Sequence, residues 1–274
     1  MFLPNLTSLY PDYEIIVVDD GSTDNTVDVC IQNKVKVVSH AMNMGNGAAI
    51  KTGARNASGD ILVFMDADGQ HDPKDIPRLL KKFDENYEMV VGARKSESQA
   101  TIFRNIANRF YNFFASIMTG SRIDDLTSGF RLARARHFRK FIYLLPNGFS
   151  YPTTITMAFF RSGFPIAYVP IRASKRVGKS HIRLLRDGFR FLIIIVKVGA
   201  LFSPMRLFIP ISLLMFLTGI SYYAYTYITY NRFTNMSALL FISSILTFLI
   251  GILSEQVSAL HYKGMEEDQR RVKR

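Results

Sequence analysis

Cysteine is nearly absent: Cys30 is the only one in the chain. That excludes an intramolecular disulfide and fits a reducing compartment. No Cys/His spacing of a zinc site occurs, and no arginine-rich array with interleaved aromatics, so structural zinc and a nucleic-acid partner both lack their usual signature. There is no internal repeat and no low-complexity segment, which removes repeat arrays and compositionally disordered tracts. Met1–Tyr10 is too short and lacks the basic start of a secretory signal. The most telling absence is of charge: no acidic or basic residue lies from Leu207 to Tyr230, or from Phe233 to Ser254.

Each of those runs, at about 1.5 Å per residue, is long enough to cross a hydrocarbon core of about 30 Å. Only Asn231, Arg232 and a few neighbours separate them, so the spacing predicts a hairpin over 204–262 with spans near 206–230 and 233–256. Tyr222, Tyr223, Tyr225, Tyr227 and Tyr230 crowd the end of the first span like an interfacial aromatic belt. A pair of buried core helices is the competing reading. Arg206 precedes the hairpin and Lys263, Arg270, Arg271, Lys273 and Arg274 follow it, against Arg232 alone in the connection. The positive-inside bias then predicts a multi-pass membrane protein with both termini, a basic tail at 263–274 and the N-terminal region in the cytoplasm.

Net charge is +12, and much of it falls between Arg161 and Arg206 and in the tail, on either side of the apolar runs. Membrane lipids explain that placement better than nucleic acid does. Arg183, Arg186, Arg190 and Lys197 share one helical face, with Leu184, Leu185, Phe191, Leu192, Ile195 and Val196 opposite. An interfacial amphipathic helix is expected over 181–203, although Ile194 interrupts its polar stripe.

The 274 residues leave room for one ordinary domain besides this appendage. From Glu14 onward, strand and helix patterns alternate. A strand ends at Val18, and a helix is expected near Thr23–Ile31. A strand over Val35–Ser39, an Ala/Gly-rich helix over Met44–Ala57 and a strand over Asp60–Met65 come next. A helix over Lys74–Asn86, a strand over Tyr87–Gly92 and an amphipathic helix near Ile102–Met118 follow. Such alternation predicts an α/β fold with a mostly parallel sheet and helices on both faces.

Two strand ends carry acids. Val63-Phe64-Met65 runs into Asp66-Ala67-Asp68-Gly69-Gln70-His71-Asp72-Pro73, at the strand end where open α/β sheets place their ligands. The spacing of Asp66 and Asp68 lets a loop turn both toward one point, where hard oxygen ligands suit Mg²⁺ or Mn²⁺. Asp72, directly ahead of Pro73, is the residue expected to cap the next helix; His71 reads as structural rather than as a ligand. Val17-Val18 runs into Asp19-Asp20-Gly21-Ser22-Thr23-Asp24. The adjacent carboxylates repel and call for a cationic or hydrogen-bonding partner. Ser22, Thr23 and Asp24 admit both a turn-and-cap role and a binding role.

These segments resemble glycosyltransferase family 2 proteins of the GT-A (nucleotide-diphospho-sugar transferase) fold, and among them the polyprenyl-phosphate (dolichol-phosphate) mannosyl- and glucosyltransferases. The resemblance is carried by Val17–Asp24, Asn43-Met44-Gly45-Asn46-Gly47-Ala48-Ala49 and Asp66–His71. It continues through Gly92-Ala93-Arg94, Asp125-Leu126-Thr127-Ser128-Gly129-Phe130-Arg131 and Arg176-Val177-Gly178-Lys179-Ser180. It implies a catalytic domain over 1–180 that binds a nucleotide-sugar donor, UDP- or GDP-hexose, through Asp19, Asp20, Gly21, Ser22, Asn46 and Asp66. It places the divalent metal on Asp66, Asp68 and Gln70, and the catalytic role on Asp68 and Asp125. The acceptor, dolichyl or undecaprenyl phosphate, falls to Arg94, Arg104, Ser128, Arg176 and Lys179; a homo-oligomer is compatible with all of this.

A phosphate acceptor is already anionic and needs no general base, only cationic groups to hold it; a hydroxyl acceptor would need one. Direct displacement predicts inversion at the anomeric carbon. Processive synthases of this family carry a Gln-x-x-Arg-Trp motif, and the chain has no Trp. Transfer to a lipid or glycan hydroxyl, and a non-catalytic membrane protein with an incomplete donor site, are the alternatives. Two departures bear on the donor. Relatives usually begin with a strand bearing Pro, Asn and Glu, whereas this chain starts at Met1-Phe2-Leu3-Pro4, so the first strand of the fold is expected to be missing. Asn46 stands where relatives often carry a basic residue.

Overall fold

The computed structural model describes residues 2–94, 102–148, 151–172, 193, 196–197, 199–201 and 203–272, with the side chains of 2, 102–108 and 261–272 outside that description. The chain forms two compact units, Met1–Ser116 with Ser121–Leu192, and Ile117–Gly120 with Ile193–Arg274.

In the first unit, α1 (Phe2–Leu9), β1 (Ile16–Asp19), α2 (Thr26–Gln32), β2 (Lys36–Ser39), α3 (Asn46–Asn56) and β3 (Ile61–Phe64) come in order. They are followed by α4 (Ile76–Phe83), β4 (Met89–Arg94), α5 (Ile102–Thr119), β5 (Arg131–Arg134), α6 (Ala135–Lys140), α7 (Tyr151–Arg161) and β6 (Ile166–Ile171). The alternation read from the sequence is therefore present as far as β4. Two sheets result, β1-β2 and β3-β5-β4-β6. Pairing is parallel between β1 and β2 and between β4 and β6, but β5 runs antiparallel to both of its neighbours. The sheets are thus more mixed than strand–helix alternation alone suggested. After α5 the chain returns through the irregular 120–130 segment, and β5 enters from the opposite end.

Alternation along β3 sorts its side chains onto two faces. Ile61, Val63 and Met65 join the core that α4 covers with Ile76, Leu79 and Phe83, against Val90, Leu132, Val169 and Ile171. Phe64 faces the other way and packs on Phe138 of α6, ring centroids 4.4 Å apart. Helices therefore cover both faces. Each fully buried Leu or Phe here contributes about 1.5–3 kcal/mol of apolar burial. Asp72 is the cap expected ahead of Pro73: its Oδ1 accepts from Lys74 N at 2.9 Å, opening a short 3-10 turn at Pro73–Asp75. The helix expected from Thr23 instead starts at Thr26, because Asp24 turns its carboxylate onto Thr26 N at 3.0 Å.

The second unit is dominated by α8 (Pro204–Tyr230) and α9 (Asn235–Val272), both long and apolar enough to cross a membrane over Pro204–Tyr230 and Asn235–Leu260. Ser212, Gly219 and Thr226 of α8 are buried, as are Ser237, Ser244, Gly251 and Ser258 of α9. Both sets recur every seven residues, the seam of a left-handed helix pair, and their small side chains permit close approach. A Cβ on Gly251 would lie 2.8 Å from Phe208 Cβ, and Ser244 Oγ donates to Ser212 O at 2.8 Å. Leu213, Leu214, Leu246, Leu253 and their neighbours point outward. The segment read as a basic tail continues α9 as helix to Val272. Most of the amphipathic segment 181–203 lies outside the described residues.

Candidate active site

The acidic loop leaves β3 after Phe64 and turns at Gly69, whose φ of +73° favours glycine. Asp68 Oδ1 accepts from Gln70 N at 3.1 Å, drawing the loop back on itself. Asp66 rests on the backbone of Gly129: a Cβ there would lie 2.7 Å from Asp66 Oδ2. His71 is buried, stacked on Phe130 with centroids 5.1 Å apart, and its Nδ1 has no hydrogen-bond partner among the described residues. Burial pushes its pKa down against the pull of Asp66 and Asp68.

Gly129 belongs to the second half of the site. Asp125, buried, accepts from Arg94 Nε at 2.8 Å, Arg94 Nη2 at 3.0 Å and Arg94 N at 3.2 Å. It also accepts from Thr127 N and Oγ1 and from Ser128 N. Burial alone would raise its pKa, but the Arg94 bonds prevail and hold it below the usual carboxylate range. Arg94 is likewise opposed by burial, yet Asp125, with Asp66 nearby, keeps it firmly charged. A carboxylate so fully engaged is a poor proton acceptor. In this structure Asp125, expected to be catalytic, holds Arg94. None of Arg94's bonds to described residues uses Nη1.

Ser128, expected on the acceptor phosphate, is turned inward. Its side chain is fully buried and donates to Gly92 O at 2.6 Å, tying the 125–130 segment to β4. Arg104 lies on α5 with its side chain outside the described residues, and Arg176 and Lys179 lie outside them altogether.

At the end of β1, the two acids have separate duties. Asp19 is buried and accepts from Ser22 N at 3.1 Å. Asp20 accepts from His40 Nδ1 at 2.7 Å, Met44 N at 2.9 Å and Gly45 N at 2.8 Å. Its partial burial opposes ionisation, but His40 and those amides outweigh it and keep the pKa low. The partner that the adjacent acids called for is thus His40 with the 44–45 amides; nothing local in sequence marks His40, twenty residues on. Gly21, with φ +76°, lets the 42–43 backbone approach, since a Cβ would meet Met42 C at 2.8 Å. Asn46 is exposed at the first turn of α3. The α3 amides of Gly47 and Ala48 are taken by Gly148 O and Asn147 O.

Among the described residues, no group of three or more His, Cys, Asp or Glu side chains is placed to hold a metal ion. Asp66 and Asp68 nonetheless fit a hard divalent cation. They are oxygen donors two residues apart on one loop, and the missing Cβ of Gly129 lets the Asp66 carboxylate lie against that backbone. Mg²⁺-type sites use one or two carboxylates and take the remaining ligands from phosphates and water.

Residues 3–142 match the Glycosyl transferase family 2 domain, and residues 203–260 match the GtrB C-terminal hairpin. The chain belongs to glycosyl transferase family 2. An undecaprenyl-phosphate 4-deoxy-4-formamido-L-arabinose transferase of Yersinia pestis (strain Pestoides F) is 32% identical over 227 residues, 70% of this chain and 68% of that one. The namesake of Photorhabdus laumondii is 35% identical over 123 residues, 43% of this chain, and the match spans only 38% of that relative's length. Glucosyl-3-phosphoglycerate synthase from Mycobacterium tuberculosis in complex with phosphoglyceric acid superposes with a TM-score of 0.57 at 19% identity, covering 72% of this chain and 75% of that one. The same enzyme in complex with Mn²⁺, UDP-glucose and phosphoglyceric acid gives 0.56 at 19% identity, over 71% and 72%. The family 2 chain therefore has the GT-A fold, with a C-terminal helical hairpin appended.

Proposed function

We propose that this protein is a membrane-anchored glycosyltransferase that moves a sugar from a nucleoside-diphosphate donor to a polyprenyl phosphate at the cytoplasmic face. The observation that carries the choice of acceptor is the state of Asp125. Saturated with donors and held ionised, it is unsuited to deprotonating a hydroxyl, whereas a phosphate acceptor arrives already anionic. Arg94, fixed by Asp125, supplies a cation whose Nη1 bonds none of the described residues and would meet a phosphate oxygen. Arg104, Arg176 and Lys179 complete the acceptor set in this reading. Asp20 holds the loop that shapes the nucleotide pocket.

A divalent cation on Asp66, Asp68 and Gln70 would, when bound, neutralise charge building on the leaving diphosphate. Asp66 and Asp68 orient the donor so that one face of the anomeric carbon meets the acceptor, which gives inversion. The named relatives support the undecaprenyl-phosphate acceptor, and a solved structural neighbour holds Mn²⁺ with UDP-glucose. The sugar of those relatives, 4-deoxy-4-formamido-L-arabinose, is a pentose, so the donor class is wider than the hexose expected from the motifs.

The test offers membranes containing the protein both polyprenyl phosphate and the matching polyprenol, with a panel of UDP- and GDP-sugars and Mn²⁺. Mass spectrometry should find a phosphodiester-linked sugar lipid only, and none with Asp68→Asn. Transfer to polyprenol, or full activity of Asp68→Asn, would overturn the reading.

A further inference from the structure

Arg131 is the largest fully buried side chain of the described residues, yet no carboxylate among them lies within ion-pair distance of it. Burial pushes its pKa down, and its Nε has no hydrogen-bond partner among the described residues. An arginine in that state is costly, and apolar residues of similar volume would fill the same space more cheaply. Rules of this kind are broken mainly where function requires it.

The groups that Arg131 does hold point to one task. It starts β5, where its Cα pairs with that of Phe64, two residues before Asp66. Its Nη2 donates to Ser128 O, and its Nη1 donates to Pro152 O at 3.1 Å and Thr156 Oγ1 at 3.2 Å. The guanidinium lies 5.6 Å from the ring centroid of Tyr151, and Tyr151 OH donates to Gly129 O at 3.2 Å. Two successive carbonyls, Ser128 O and Gly129 O, are thus gripped from within the core. The Cα between them is the one that Asp66 rests on, at a spacing too close for any Cβ.

We propose that Arg131, with Tyr151 beside it, is a positioning residue for the metal-binding carboxylate: it fixes the Ser128–Gly129 backbone that sets where Asp66 stands. The inference rests on the metal-dependent reading above and adds to it the device that holds one ligand in place. Lysine at this position would keep the charge and lose the fork that spans Ser128 O, Pro152 O and Thr156.

The experiment titrates full-length protein in detergent with Mn²⁺, with and without UDP, following free Mn²⁺ by electron paramagnetic resonance. Wild type, Arg131→Lys, Tyr151→Phe and Asp68→Asn are compared, with circular dichroism melting of each. Arg131→Lys should bind Mn²⁺ about tenfold more weakly, as removal of outer supports of a metal site typically does. Tyr151→Phe, which deletes a single hydroxyl, should shift affinity in the same direction with the fold retained, and it carries the test if the lysine variant does not fold. Wild-type affinity in Arg131→Lys and Tyr151→Phe, alongside lost binding in Asp68→Asn, overturns this inference and leaves the function intact. Wild-type protein that takes up no more Mn²⁺ than Asp68→Asn overturns both.

Discussion

Asp125 and Gly129 show how single residues set the chemistry of this site. Asp125 has an ordinary value of 3.8, and its folded value is lower. The sign follows: the unfolded chain takes up the proton first as pH falls. The stabilisation from the Arg94 pair is therefore complete above the unfolded value and is lost as pH drops through the folded one. Thermal melts should show wild-type stability declining through this acidic range. Asp125→Asn should lack that part of the slope and be less stable at neutral pH by about 3 kcal/mol, the cost of stripping a buried charge of its partner. Gly129→Ala acts differently. Its methyl group would sit 2.7 Å from Asp66 Oδ2, so the carboxylate has to move. Calorimetry should report Mn²⁺ affinity weakened about tenfold with the fold retained.

At the scale of elements, the informative contrast is between β3 and the hairpin helices. β3 announces itself by an apolar run that ends in acids, and the strand lies within one residue of the expected bounds. The hairpin announces itself by length, but its packing surface is hidden inside an apolar composition. Ser212, Gly219, Thr226 and Ser237, Ser244, Gly251, Ser258 form a seven-residue repeat that is visible in sequence only when small residues, not apolar ones, are followed. Gly251→Leu should force α9 away from Phe208. With Cys30→Ser removing the only native thiol, paired Ser212→Cys and Ser244→Cys should crosslink under mild oxidation. Adding Gly251→Leu should abolish that crosslink; an undiminished yield would refute the packing.

For the whole molecule, the orientation proposed from the charge pattern is a cytoplasmic site, cytoplasmic termini, and Asn231-Arg232 on the far side. Asn231→Cys in a Cys30→Ser background should react with a membrane-impermeant maleimide from outside intact cells. Protection there, with labelling only after lysis, would reverse the orientation. α8 ends at Asn231 in a left-handed conformation, φ 50°, a reversal that asparagine tolerates better than most residues.

Local chemistry was readable in the sequence alone: strand ends from β-branched runs, the acidic turn from Asp66 and Asp68, the cap from Asp72-Pro73, and the spans from missing charge. Each of these depends on neighbours within a few residues, which is the range over which side-chain period and turn chemistry act. The tertiary structure alone decided which groups neutralise which. Arg94 meets Asp125, thirty-one residues away; Asp20 is claimed by His40; Ser128 turns inward; and Arg131, with no carboxylate partner among the described residues, holds the carbonyl of Ser128. Asp20 is brought to His40 by the parallel pairing of β1 and β2, and the others depend on β5 entering antiparallel between β3 and β4, a long-range closure for which no local pattern in the chain gives a signal.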